Sequence, residues 1–165
     1  MTYSAIYPGT FDPVTLGHED LISRAAQIFG RVTVAVAREA SGKEAIFSTE
    51  ERIELIREGV QNLDGVQVEL FDGLLVDYVR SNPGSVLVRG LRAFSDFEYE
   101  LQMALMNRKM SPEVETMFLM TKEDFSYVSS SLVREVARLG GDVSHFVSPH
   151  VGEALRIKFG GGESQ

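Results

Sequence analysis

The chain contains no cysteine. That excludes disulfides and thiolate-ligated metals, and it fits a reducing compartment. No apolar run is long enough to cross a bilayer and no basic-then-apolar leader opens the chain, so neither membrane insertion nor export is expected. Cations are scarce: 16 Lys and Arg stand against 24 Asp and Glu, for a formal net charge of −8. General affinity for nucleic-acid backbone needs clustered positive charge and is disfavoured. If the ligand is anionic, the few basic residues must gather at one place. Histidine is also rare, with three in the chain. His145 and His150 stand near no cluster of carboxylates and do not read as metal ligands. No Ser-His-Asp set or carboxylate pair is suggested, and a covalent mechanism has no support.

What is present is an ordinary globular composition, 44% hydrophobic and 24% charged over 165 residues, long enough for one domain with a sizeable core. Strand and helix signals alternate along it. Ala5-Ile6-Tyr7 reads as a buried strand that stops at a Pro8-Gly9 turn. From His18, the spacing of Leu21, Ile22, Ala25, Ala26 and Phe29 predicts a helix stopped by Gly30. Val32–Ala37 is a β-branched second strand, followed by a polar segment from Arg38 to Ala45. Ser48-Thr49-Glu50-Glu51 has the form of a capping box before a helix carrying Ile53, Ile56 and Val60. Val66–Phe71 is a third strand, and Leu74 to Val79 a short helix closed by Asn82-Pro83-Gly84. Val86-Leu87-Val88 is a fourth strand. A second capping box, Ser95-Asp96-Phe97-Glu98, opens a helix reaching about Lys109. Met117 to Met120 is a fifth strand, Leu132 to Leu139 a helix stopped by Gly140-Gly141, and Ser148-Pro149 opens the last helix. The pattern predicts an α/β fold, a parallel five-stranded sheet with helices on both faces and ligands beyond the carboxyl ends of its strands. One domain is expected over residues 1–159, with a flexible tail over 160–165.

Three stretches carry chemistry. Tyr7 to His18 joins the first strand to the first helix, where backbone N–H groups at a positive helix end suit phosphate and His18 adds a side-chain donor. Gly9 and Gly17 alone would serve only a tight turn. Arg89 and Arg92 follow the fourth strand directly; guanidinium forks bind phosphate, and Gly90 admits close backbone approach. Ser129, Ser130 and Ser131 put three hydroxyls at a helix start whose amides point the same way, although any one of them could be a plain N-cap.

Together, Pro8-Gly9-Thr10-Phe11-Asp12-Pro13, Thr15-Leu16-Gly17-His18, Arg89-Gly90-Leu91-Arg92-Ala93 with Asp96-Phe97-Glu98-Tyr99-Glu100, and Ser129-Ser130-Ser131-Leu132-Val133-Arg134 resemble the phosphopantetheine adenylyltransferases of the nucleotidyltransferase superfamily. The resemblance runs from about residue 3 to 158. It implies a Rossmann-like fold and transfer of the adenylyl group of ATP to 4′-phosphopantetheine, giving dephospho-coenzyme A and pyrophosphate in coenzyme A biosynthesis. It further implies a cytoplasmic homohexamer, no covalent intermediate, and Mg²⁺ delivered with ATP. Carried onto this chain, the catalytic residues are His18, Thr10 and Arg92. ATP falls to Thr10, Phe11, His18, Gly90, Leu91, Arg92 and Glu100, with Phe125, Ser126, Tyr127, Val128, Ser129, Ser130 and Ser131. Phosphopantetheine falls to Thr10, Lys43, Leu75 and Arg89, with core packing an equal account of Leu75. Lys43 precedes Ile46-Phe47-Ser48 as the family's lysine does, with Glu44-Ala45 where a basic residue and a proline are usual. Two other readings stand: a nucleotidyltransferase using nicotinamide mononucleotide or CTP, and a non-catalytic nucleotide sensor.

The helix after Ser95 has two apolar stripes. Phe97, Leu101, Ala104 and Leu105 form one; Tyr99, Met103, Met106 and Met110 form another on roughly the opposite side. A helix covering a sheet needs one stripe, so the second is expected to bury against another subunit, the alternative being a helix sandwiched within its own domain.

Overall fold

A computed structural model of the chain describes residues 3–38, 45–92 and 96–160. In order these form β1 (Ser4–Gly9), α1 (Leu16–Phe29), β2 (Val32–Ala37), α2 (Thr49–Val60), β3 (Val66–Phe71), α3 (Leu75–Arg80), β4 (Ser85–Leu91), α4 (Asp96–Met110), β5 (Thr116–Met120), α5 (Ser130–Arg138) and α6 (Pro149–Gly160), with a 3-10 turn at Glu123–Phe125. All strand pairs are parallel and the sheet order is β3-β2-β1-β4-β5. The chain winds outward from β1 to β3, then returns to β4 on the other side of β1. Right-handed crossovers therefore put α1 and α2 on one face and α3 and α4 on the other.

Strand alternation supplies both faces. Ala5 and Tyr7, Val32, Val34 and Val36, and Val88 point into a large core completed by Leu21, Ile22, Ile56, Val133, Val151 and Leu155 from the helices. Ile6, Ala35 and Leu87 point the other way, into a smaller core with Val79 and Val114. The expected sheet and its helices are thus present. The second capping box lies partly outside the described residues, since Ser95 is not among them. Of the expected tail, Gly160 closes α6 and 161–165 lie outside the described residues.

Two strands run further than the sequence suggested. β1 does not stop at Pro8-Gly9 but continues through them, pairing with β2 to Gly9 opposite Val36. A proline is tolerated because its partnering with β4 has already ended, at Ile6 opposite Leu87. The missing N–H therefore faces no ladder, and the Pro8 carbonyl on the same edge accepts from Arg89 at 2.8 Å. β4 likewise runs through Arg89 and Gly90 to Leu91 opposite Met120, so Arg89 lies within the strand rather than after it.

α4 departs from the usual pattern of a covering helix. Its buried residues are Glu100 and Asn107, while Phe97, Leu101 and Leu105 of one stripe and Tyr99, Met106 and Met110 of the other are exposed. Met117 and Met120 of the neighbouring edge strand are exposed too. Among the described residues, most of both stripes is left uncovered, with Met103 and Ala104 half-buried.

Two left-handed glycines test the packing. At Gly65 (φ +76°) a Cβ would lie 2.1 Å from the Gly30 carbonyl oxygen, whereas at Gly84 (φ +80°) it would meet open space. Gly84→Ala should cost about 1–2 kcal/mol through backbone conformation alone, and Gly65→Ala clearly more. Urea unfolding of both variants measures the difference; equal losses would contradict this close approach.

Candidate functional site

The cleft arises where β1 and β4 part. Their ladder ends at Ile6 and Leu87, yet β1 stays paired to β2 and β4 to β5 for three or four residues more. This gap is also where the sheet's winding reverses, the expected ligand position in an open parallel sheet. It holds a cavity of about 520 Å³. Thr10, Phe11, His18, Arg89, Gly90, Arg92, Glu100, Phe125, Val128, Ser129, Ser130 and Ser131 all line it.

His18 is fixed by the start of its own helix. The Thr15 hydroxyl accepts from the His18 N–H at 3.3 Å, and the Thr15 N–H donates to His18 Nδ1 at 3.0 Å. This is a capping box with histidine where glutamate or glutamine is common. Because Nδ1 accepts, the neutral ring carries its proton on Nε2. Burial, reinforced by the positive charges of Arg92 and Arg89, pushes the imidazole down to about 4 from its ordinary 6.5. At neutral pH the ring is an uncharged donor. Phe11 packs edge-on against it, ring centroids 5.0 Å apart, and also against Tyr7 at 5.4 Å. Phe11 reaches that position at φ +53°, a left-handed backbone that costs a side-chain-bearing residue about 1–2 kcal/mol.

The helix end offers fewer amides than the sequence suggested. The Leu16 N–H donates to the Phe146 carbonyl at 2.9 Å, and that of His18 to Thr15. Gly17 is left, with the helix dipole and the His18 ring. Gly90 lines the cavity and has a packing use as well: a Cβ there would lie 2.3 Å from Leu21 Cδ1, so its smallness lets α1 close onto β4.

Both arginines are held by carboxylates. Glu100 accepts from Arg89 Nε at 2.8 Å and Nη2 at 2.6 Å. Asp96 accepts from Arg92 Nε at 2.7 Å and Nη2 at 3.2 Å, and this bonding holds its carboxyl below the ordinary range. Arg92 Nη1 crosses to the Val128 carbonyl at 3.0 Å. A guanidinium has about five N–H donors. With three given to protein atoms, each arginine keeps two for a ligand, in an orientation its carboxylate sets.

The serines divide their work. Ser129 caps α5, accepting from the Leu132 N–H at 3.2 Å, and the Ser130 hydroxyl donates to the Pro13 carbonyl at 2.8 Å. Two of the three hydroxyls expected at a phosphate therefore serve the fold, and the Ser131 hydroxyl with the amides of Ser130 and Ser131 is what α5 presents to an anion. Asp12 is buried and accepts from the Ile46 and Phe47 N–H groups at 3.0 Å each, while its carbonyl accepts from Arg134.

Leu91, Ser126, Tyr127 and Leu75 do not line this cavity. Leu75 packs on the smaller core. Lys43 lies outside the described residues. Lining residues not singled out from sequence include Tyr7, Asp12, Thr15, Leu21, Asp96, Tyr99, Thr121 and Arg134. Most stand inside the quoted motifs, where a motif does not say which members face a ligand; Leu21 and Thr121 had no local signal.

A model of the cytidylyltransferase-like family matches residues 6–136. The chain is 57% identical over 154 residues to the phosphopantetheine adenylyltransferase of Azoarcus sp., covering 93% of this chain and 94% of the relative. It is 53% identical over 161 residues to that of Methylococcus capsulatus, covering 98% and 99%. Among solved structures, a Plasmodium falciparum nicotinic acid mononucleotide adenylyltransferase complexed with NaAD matches with a TM-score of 0.69 at 16% identity, over 96% of each chain. That last likeness is one of fold.

The shielded histidine predicts a pH effect on stability. Between its ordinary 6.5 and about 4 the unfolded chain binds a proton at His18 that the folded chain refuses, so stability falls as pH drops through that window. His18→Gln should remove this component. Urea midpoints at pH 7 and pH 5 should then fall further for the parent than for the variant; parallel falls would show that the ring is not shielded.

Proposed function

The chain belongs to the phosphopantetheine adenylyltransferases, within the cytidylyltransferase-like family, and we propose that its cleft joins ATP to 4′-phosphopantetheine by direct in-line transfer. A terminal oxygen of the pantetheine phosphate attacks the α-phosphorus of ATP. The bond from that phosphorus to the bridging oxygen breaks, pyrophosphate leaves with the electron pair, and dephospho-coenzyme A remains. The attacking monoester is already an anion, so no base has to remove a proton. The protein's work is to align two polyanions and to stabilise charge as it moves.

The single observation carrying this reading is the neutral His18 ring, its Nδ1 occupied and its Nε2–H left as donor, at the head of a cleft flanked by two half-committed arginines. His18 donates to the α-phosphate as charge builds there. The spare donors of Arg92 and the first amides of α5 take the remaining phosphates of ATP. Thr10, Arg89 and Lys43 take the phosphate of the acceptor. Mg²⁺ comes with the nucleotide: the cleft's carboxylates are committed, Glu100 to Arg89, Asp96 to Arg92 and Asp12 to two amides. They do not fit a protein-held metal.

The assembly is a homo-oligomer, hexameric by family resemblance, with the exposed α4 stripes and Met117 and Met120 covered by neighbouring copies. The enzyme acts in the cytoplasm. Among the described residues, no helix is long and apolar enough to cross a membrane.

Pyrophosphate release from ATP should be rapid with phosphopantetheine and slight with nicotinamide mononucleotide; the opposite ranking would overturn the substrate assignment. His18→Ala should lower kcat by roughly 10²–10³ while calorimetric ATP affinity changes little, as for loss of one preorganised donor. Light scattering at micromolar protein should give a mass several times that of one chain, and a monomer would refute the assembly.

A further inference from the structure

Arg52 lies in the first turn of α2 and is 1% exposed. It does not line the cleft, yet it reaches the segment that does. Its Nη1 donates to the Thr10 carbonyl at 2.7 Å and to the Ala37 carbonyl at 2.9 Å. Its Nη2 donates to the Arg38 carbonyl at 3.1 Å and the Thr49 hydroxyl at 3.0 Å. These bonds go to three carbonyls and a hydroxyl, not to a carboxylate. Its Nε is buried with no partner among the described residues.

The position of the bonds is informative. The β1–β2 ladder ends with Gly9 opposite Val36. Thr10 and Ala37 come immediately after, where no backbone pairing holds the strands together. One guanidinium nitrogen bridges them there, acting as a side-chain rung beyond the last backbone rung. Burying a charge this way is costly, and an apolar side chain of similar size is often at least as stabilising. Packing alone therefore does not account for an arginine, whereas the fixed placement of the Thr10 carbonyl does. A shift at Thr10 would pass directly to Phe11, whose left-handed backbone places its ring against His18.

We propose that Arg52 is a positioning residue for adenylyl transfer, holding the Thr10 turn in register with the end of β2 so that Thr10 and His18 meet the reacting phosphates. The proposal rests on the adenylyl-transfer reading above. Arg52→Lys keeps the charge but cannot reach all three carbonyls as the fork does. Its kcat for pyrophosphate release should fall roughly 10–100-fold, since small misplacements in a site are costly. In a Thr10→Ala background, which removes one of the two positioned groups and leaves His18, the same change should cost clearly less than in the parent. Equal fractional losses in the two backgrounds, or unchanged kcat in Arg52→Lys, would overturn the proposal. Amide hydrogen exchange decides the same question without turnover: in Arg52→Lys it should quicken over residues 9–12 and not over β3. Uniform quickening across the sheet would reduce Arg52 to a stabilising role and refute the proposal. If the parent releases no pyrophosphate with phosphopantetheine, the functional reading fails, and the exchange contrast alone judges what Arg52 holds.

Discussion

Three arginines from three separate elements grip alternate carbonyls at the end of β1 and just beyond it. Arg89 of β4 takes Pro8, Arg52 of α2 takes Thr10, and Arg134 of α5 takes Asp12. Each carbonyl has run out of sheet partners, and each would otherwise be a desolvated acceptor at the floor of a cleft. The arrangement satisfies the backbone and brings positive charge beneath the place where phosphates would lie. It also ties β4, α2 and α5 to one short stretch, so the site is assembled by the same contacts that hold the loop.

That economy fits a chain with eight more acidic than basic charges. Arg52, Arg89, Arg92 and Arg134 gather at the carboxyl end of the central strands, and each is aimed by a carboxylate or a carbonyl. Arg89 and Arg92 are each neutralised in part by the acid that orients them, which lowers the cost of an empty site while keeping donors free. A chain without these acids would hold mutually repelling guanidiniums on mobile stems. His18 completes the set as an uncharged donor, since burial beside two arginines keeps it unprotonated. A neutral donor is matched to charge that appears during the reaction rather than to charge already present.

The other end of the structural logic is α4. Its buried face is polar because Glu100 must turn inward to meet Arg89. With that face given to the site, the apolar residues are left pointing elsewhere, and the helix that helps build the cleft also carries exposed apolar side chains. Site construction and the apolar surface proposed for self-association are thereby placed on one element.

Local rules sufficed for the elements. Periodicity, the Ser48 capping box and the glycine stops placed five strands and the principal helices within a few residues, because each signal lies within a turn or two of what it specifies. The motifs likewise brought His18, Arg89, Arg92 and the serines forward. What they could not convey was which atoms would be free. Nothing local says that β1 passes through Pro8, since that depends on where β4 stops pairing. Nor does it say that the Ser130 hydroxyl is spent on Pro13, 117 positions away, or that Arg89 reaches Pro8 across 81. Arg52 reads in sequence as one more helix cation beside Glu51; only the meeting of α2 with the ends of β1 and β2 makes it buried. Sequence by itself determined the order of strands and helices and the chemical character of the site. Tertiary structure decided which donors remain for a ligand, because a hydrogen bond is a relation between two groups and most partners here come from distant parts of the chain.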